Sequence, residues 1–439
     1  MDVLDLALKL VSEYPFCDDC LGRNFSGLMK GINSADIGRS LKTMLALTGS
    51  HLILKGQEHE GMEVFKALAR SGFGPAQNML GGEAVKAEAC FICENKLSKL
   101  NAIVEKVAEE LRKYEFNSFL VGSRIPGRMC EREDVIRSRF AINAGVSIKI
   151  EVNRLLRKLV SEKIGKKVEF RDPEAITLVN LEDFSVTVLT SPVFIYGRYR
   201  KFEKGIPQNK WYCSRCYGLG CEACNWTGKL YSISIEELVA EPLRQLFDGV
   251  EAKFHGAGRE DVDVRVLGNG RPFIVEVKQP KKRFLNLEGV AKKINEGAGG
   301  KIEVFNLRFS SRSEVRRLKV MAKVTEKSYV AIVRLEKPIS ENEVRVLEQE
   351  LSGTFIRQRT PLRVLHRRAD KVRVKKVHEF KVGEQNDKEL KLNIRCQGGL
   401  YVKEFITGDE GRTEPSVAEK LKQKVEVVDL YVVDVKEAL

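Results

Sequence analysis

An α+β fold in more than one domain is what the sequence predicts, and three observations carry it. Apolar residues recur at helical spacing through positions 1–100. Strand-like and helix-like segments alternate from about 117 to 200. Beyond Tyr231 one helical segment precedes many short runs in which apolar and polar residues alternate. The 439 residues suffice for roughly two to four domains with packed cores. An apolar fraction of 43% with 31% charged residues describes a globular protein with a highly charged surface.

In chain order, "VLDLALKLVSEY" reads as an amphipathic helix, and "EAVKAEACFICENKLSKLNAIVEKVAEELRKY" places a cysteine pair at the start of a long one. "NSFLVGSRI" reads as a strand, and "AINAGVSIKIEVNRLLRKLVSEKIG" as a helix ending at Gly165. The segment "KKVEFRDPEAITLVNLEDFSVTVLTSPVFIYG" reads as strands broken by a turn at Asp172-Pro173. Residues 201–230 form a Gly/Cys-rich connector. "SIEELVAEPLRQLF" then reads as a helix, and "SYVAIVRLEK" and "VEVVDLYVVDV" are the clearest strands. The expected domains are thus 1–100, 101–200, the connector 201–230, and 231–439.

No run approaches 18 apolar residues, so no membrane partner is expected. The N-terminus carries early acids and no cleavage pattern, so a cytoplasmic location is the default expectation. The net charge of +14 favours a polyanion, with nucleic acid the first expectation. A basic enzyme with no nucleic-acid partner is the alternative.

Eight of the ten cysteines fall in CxxC pairs, and Cys130 and Cys396 stand alone. In a reducing compartment such pairs read as metal knuckles. Cys17/Cys20 and Cys90/Cys93 could share one structural zinc and close a long loop. Cys213, Cys216, Cys221 and Cys224 are spaced C-x2-C-x4-C-x2-C, a tight spacer that Gly218 and Gly220 would ease. The string "CSRCYGLG" also resembles the DnaJ-type knuckle. One or two structural zinc ions are expected, each closed by four thiolates and without an open position for substrate.

"GREDVDVR", Gly258 to Arg265, alternates charge and valine as a half-buried strand would. It reads as a surface ladder, as a magnesium-binding carboxylate pair of a nucleotidyltransferase acting on RNA, or as one nucleophilic aspartate beside an arginine. The second reading lacks the Gly-Ser helix start it needs upstream. A second "REDV", Arg132 to Val135, has charges at all angles of a helix and reads as a solvated or RNA-facing element. The segment Arg357 to His378 holds nine Lys/Arg and one Asp, dense enough to follow a phosphate backbone. Lys403, in "LYVKEF", reads as a strand lysine that needs a carboxylate partner if it faces inward.

These stretches resemble a family. "HGAGREDVDVRVLGNGRPFIVEV", "SPVFIYGRYRKFEKGIPQNKW" and "RQRTPLRVLHRRADKVRVKKV" are similar to segments of the archaeal and eukaryotic tRNA pseudouridine(54/55) synthases. "CQGGLYVKEF" resembles the "GTYIR" motif of TruB-type synthases, with Lys403 in place of arginine, and "FRDPEAITLVNLEDFSVTV" is similar to a THUMP segment. The resemblance implies a THUMP-like RNA-binding module over 101–200 and a synthase domain built on a mixed, mostly antiparallel sheet flanked by helices. It implies an isomerase acting on tRNA with no organic cofactor. By the same resemblance Asp261 is the nucleophile, Tyr329 the active-site tyrosine and Lys403 the basic partner that keeps Asp261 ionised. Asp263 has no catalytic role in the pattern. RNA contacts are expected from Arg259, Tyr401, Arg357, Arg363, Arg367 and Arg368. A long chain with its own RNA-binding module is expected to act as a monomer. A THUMP-bearing tRNA-binding protein without activity is the remaining alternative.

Overall fold

The computed structural model describes residues 2–29, 31–81, 85–322, 324–386 and 388–436. The chain divides into two compact units, Met1–Ser191 and Pro192–Leu439. Among the described residues no helix is long and apolar enough to cross a membrane.

In the first unit the helix Val3–Glu13 buries Ala7, Leu10 and Val11, one stripe at helical spacing. It packs against the helices Ser34–Leu54 and Glu58–Arg70. The long helix expected after Cys93 starts only at Leu100, because turns and a short 3-10 segment occupy 91–99. Strands β1 (Ser118–Arg124), β2 (Lys167–Val168), β3 (Ala175–Asn180) and β4 (Val186–Thr190) form a sheet in the order β2-β1-β3-β4. The helix Ile148–Ile164 starts later than its sequence pattern implies. The Ser147 hydroxyl caps it by accepting from Ile150 N, and Gly165, in the left-handed region, ends it. Helices and sheet share one core, so 1–100 pack together with 101–191 and not as a separate body.

The "REDV" copy at Arg132 lies in the helix Gly127–Arg139, but it is not simply solvated. Glu133 is buried, bonds the buried Arg23 and accepts from Ile148 N at 3.1 Å. Its charge is therefore satisfied inside the fold rather than presented to a ligand.

The second unit begins with β5 (Val193–Lys201), ahead of the expected boundary, because β5 is hydrogen-bonded into the second sheet. The other strands are β6 (Glu251–Gly256), β7 (Arg265–Lys278), β8 (Ile302–Ser310), β9 (Glu326–Leu335), β10 (Phe355–Gln358), β11 (Arg373–Asn386), β12 (Glu389–Gln397), β13 (Thr413–Glu414) and β14 (Val425–Val435). Their order is β13-β10-β11-β12-β9-β14-β7-β5-β8, with β6 on β7. Among the described residues of this sheet only β7 and β14 pair in parallel, Tyr431 opposite Arg265, so the sheet is mixed and mostly antiparallel. Helices such as Ile235–Leu246 and Leu287–Ala298 cover the core.

That parallel pair positions the site. It sets the start of β7, and the loop leading into it, beside β14 near the middle of the sheet. Along β9 the face that packs Ala331, Val333 and Leu335 into the core also carries Lys327 and Tyr329 at its beginning. There the core opens into a cavity.

Candidate active site

The cavity measures about 500 Å³ and lies within the second unit. The loop 257–264, β9, β14, the segment 363–375 and the start of the helix Val402–Thr407 line it. Asp261, Tyr329, Lys403, Arg259, Tyr401, Arg363, Arg367 and Arg368 all meet there. Arg357 does not: it lies on β10 with its side chain exposed, outside the cavity lining.

"DVDV" is not a strand. Residues 257–264 form a loop between β6 and β7, with a turn closed by Val264 N donating to Asp261 O at 3.1 Å. The alternating valines serve it differently, since Val264 is buried and Val262 only partly so. The loop backbone is held from beneath. Arg271 donates to Ala257 O at 2.9 Å, Gln208 to Gly258 O at 2.9 Å, and Lys201 to Val262 O at 2.9 Å. Gly258 has φ +79°, a left-handed conformation that favours glycine.

Beneath the loop Glu260 and Arg271 pair at 2.8 Å, each side chain 1% exposed. The Tyr199 hydroxyl donates to the same carboxylate at 2.7 Å and itself accepts from Gln208 at 3.0 Å. Burial works against the Arg271 charge, but the Glu260 carboxylate, together with Tyr199 and Tyr329, outweighs it and holds the guanidinium above its usual value. Sequence reading missed this network. Its signal was the Glu of "REDV", which stood between two residues that drew attention.

Asp261 and Lys403 are not partners. The cation on Asp261 is Arg363, Nη2 to Oδ2 at 2.8 Å, and Arg363 is itself held by the buried Glu404 at 2.5 Å. Lys403 bonds Asp263 at 2.5 Å. It is a helix residue, in the first turn of Val402–Thr407, not a strand residue. Burial tends to raise the Asp263 carboxyl, but the Lys403 hydrogen bond and charge, with smaller help from its backbone hydrogen bond and Arg363, together outweigh it and hold the group below its usual value. The two aspartates face separate cations rather than one shared ion, which removes the support for a carboxylate-pair metal site.

Tyr329 pairs with Val432 of β14 and Ile394 of β12, and burial pushes its hydroxyl well up. It therefore stays protonated and offers a ring face and a donor. Tyr401 precedes the helix Val402–Thr407; its hydroxyl accepts from Arg368 at 2.8 Å, and its backbone is clamped by Gln358. Trp211, another residue the sequence reading passed over, lies under Arg259 at 4.8 Å and Arg367 at 5.3 Å. The cavity can thus hold a flat, uncharged ring against Tyr329, with a carboxylate at its edge and arginines around its mouth.

Both cysteine groups close in space. In each, the four ligand atoms lie within 4.8 Å of one another. Cys17 and Cys93 sulfurs are 3.5 Å apart, Cys213 and Cys221 3.9 Å, and Cys216 and Cys224 3.8 Å. Four thiolates about 2.3 Å from a tetrahedral ion stand about 3.8 Å apart, so the residues fit a metal ion in both places. In the second group Gly218 and Gly220, at φ +101° and +91°, make the tight spacer possible. Gly220 N and Gly228 N donate to Cys216 and Cys224 sulfurs at 3.2 Å, support suited to thiolate charge.

Lys327 is buried on the cavity wall, and burial and then the Arg271 charge hold its ammonium down to about 7. Glu260, Cys396 and Lys375 also act on it. In the unfolded chain the lysine returns to its ordinary 10.5, so unfolding takes up a proton that the native state gives up. The resulting cost to stability is full below pH 7, shrinks as pH rises, and vanishes above 10.5. Lys327→Met should therefore exceed the wild type in denaturant stability most below pH 7, with the margin closing as pH approaches 10.5. A margin that does not change with pH would contradict this.

Comparison with known proteins places the chain in a family. Residues 194–436 match the family model described as "Pus10, C-terminal", and residues 103–180 the one described as "Pus10 THUMP domain, archaeal". The tRNA pseudouridine synthase Pus10 of Thermofilum pendens is 39% identical over 98% of this chain and 94% of its own. That of Methanocaldococcus jannaschii is 40% identical over 94% and 90%, and that of Methanothermobacter marburgensis 39% identical over 100% of both. Matched by the C-terminal family model over more than half its length and by relatives over nearly all of it, this chain belongs to the Pus10 family of tRNA pseudouridine synthases.

Proposed function

We propose that this protein isomerises uridine to pseudouridine in tRNA, at positions 54 and 55 of the TΨC arm, with Asp261 as nucleophile. The observation that carries the reading is the Asp261 carboxylate, fixed by Arg363 in a cavity walled by Tyr329. A uridine within folded RNA must leave its stack before its glycosidic bond can be reached. The cavity is large enough for one flipped nucleotide, and Arg259, Arg367 and Arg368 supply cations for the backbone around it. Arg357, away from the cavity, is assigned at most to more distant phosphates.

In the reaction the Asp261 carboxylate assists cleavage of the bond from uracil N1 to ribose C1′. The detached uracil anion turns against the Tyr329 face and C5 joins C1′; the C5 proton is then released to water and N1 takes one up, so the product is an isomer of the uridine. Arg363 keeps Asp261 a carboxylate and aims it, the role that the family resemblance assigned to Lys403. Lys403 and Asp263 brace the turn that presents Asp261. Both four-cysteine groups are assigned to structural zinc, which would tie together distant segments of the first unit and shape the connector of the second.

Two experiments test this reading. With unmodified tRNA carrying tritium at uracil C5, the protein should release tritium. Asp261→Ala should lower the rate at least about a thousandfold while tRNA affinity stays within about threefold. Asp134→Ala, in the other "REDV", should remain active. Turnover by Asp261→Ala, or a folded but inactive Asp134→Ala, would sink the assignment. Metal analysis of purified protein should find zinc close to two equivalents, one for each four-cysteine group. A single equivalent would keep only one site, and none would remove both.

A further inference from the structure

The second four-cysteine group sits in a small module, residues 211–230, that the catalytic reading leaves without a task. The module is unusual in what it shows to solvent. Tyr217 is 83% exposed, Leu219 93% and Trp226 76%. Large rings left this bare on a small, well-fixed element mark a contact surface more often than a packing accident.

The backbone beneath both rings is informative. Tyr217 follows Cys216 directly, and Trp226 comes two residues after Cys224. Each ring therefore stands just past the second cysteine of its CxxC pair. Tyr217 has φ +52° and Trp226 φ +60°, the left-handed region that glycine occupies at no steric cost and a bulky side chain does not. Tyr217 N donates to Cys213 O at 2.9 Å and Trp226 N to Cys221 O at 2.9 Å, so the same turns that gather the sulfurs aim the rings outward. Aromatic rings held in strained backbone and pointed into solvent have a functional rather than a packing rationale.

The foot of the module decides the partner. Tyr212 and Lys229 form a bridge, and Leu230 N donates to Trp211 O at 2.9 Å. Trp211 is the ring stacked under Arg259 and Arg367, both of which line the cavity. The module thus rises from the cavity mouth and continues its arginine-rich rim. Its own charge is modest, with Arg215 and Lys229 against Glu222, and Lys229 is already paired with Glu237. Rings rather than cations are what it offers. Stacking on unpaired bases needs flat faces and little charge.

We propose that this metal knuckle is a second RNA contact, on which Tyr217 and Trp226 stack unpaired nucleobases of the tRNA whose uridine occupies the cavity. The proposal rests on the reading of tRNA as substrate. It assigns the knuckle to substrate grip and not to the chemical step.

The chain has two tryptophans, which makes the test direct. In the metal-loaded Trp211→Phe protein, Trp226 is the sole indole. Titration with an unmodified tRNA transcript should quench its emission, saturating over the same concentrations as binding measured by filter retention. An emission unmoved at saturating tRNA would overturn the proposal and leave a protein partner as the occupant. In otherwise native protein, Tyr217→Ala with Trp226→Ala should weaken tRNA binding about tenfold or more, two lost stacking contacts. The salt dependence should not change, because no phosphate contact is removed. Tyr217→Phe with Trp226→Phe keeps the faces and should bind as the wild type does. Equal affinity of the Ala and native proteins would also overturn it. If the native protein forms no pseudouridine in tRNA, the reading beneath the proposal fails; if it does and Trp226 stays silent, the proposal alone fails.

Discussion

A glutamate and an arginine, each almost wholly removed from water, meet beneath the loop that carries Asp261. Removing one partner of such a pair leaves an uncompensated buried charge, at about 3–5 kcal/mol. The pair is therefore a fixed point, and it is tied to the loop at two places. Glu260 is itself a loop residue, and Arg271 reaches from β7 to the carbonyl of Ala257. Tyr199 of β5 and Gln208 complete the network, so the loop is bonded to the sheet at β5 and β7 and not merely strung between two strands. Asp261, the proposed nucleophile, stands one residue from this anchor and inherits its rigidity.

The charges around the cavity divide the labour in a way that follows from the same anchor. Asp261 points up to Arg363, Glu260 down to Arg271, and Asp263 aside to Lys403. Three acids within four residues of sequence thus meet three cations from three different elements, which spares them mutual repulsion. Glu404, one residue after Lys403, holds Arg363, so the short helix Val402–Thr407 orients both outer pairs. Around this neutralised centre Arg259, Arg367 and Arg368 leave the rim positive. That arrangement draws in a polyanion while the cavity interior stays suited to an uncharged base.

Much of the fold was legible in the sequence because periodicity reports burial on one face. The helix Ile148–Ile164 and strands β9 and β14 show this, and the closing of the cysteine groups was legible from ligand spacing. Legibility failed where partners come from afar. Nothing local separates Arg363 from Lys403 as the cation on Asp261, since the choice depends on how the helix Val402–Thr407 seats against the loop. The loop 257–264 imitated a strand because charge and valine alternate in its sequence, whereas its burial does not: Glu260 and Val264 are buried, and Asp261 and Val262 are alike half-buried. Glu260, Arg271 and Tyr199 are buried polar groups, and only tertiary structure shows which buried charges have found each other. The Glu133 of the other "REDV" makes the same point, being buried against an arginine 110 residues away.

If the buried pair governs catalysis through the placement of Asp261, the single-turnover rate of pseudouridine formation by Glu260→Gln is the most direct measure of it. Glutamine keeps the volume and removes only the charge that Arg271 and Tyr199 answer. With the fold retained, the rate should fall by about a hundredfold or more, the expected cost of a misplacement of about 1 Å at the reacting group, with tRNA affinity little changed. A rate within about twofold of the wild type would contradict the dependence of catalysis on the buried pair, and would mean that Asp261 is placed by something other than this anchor.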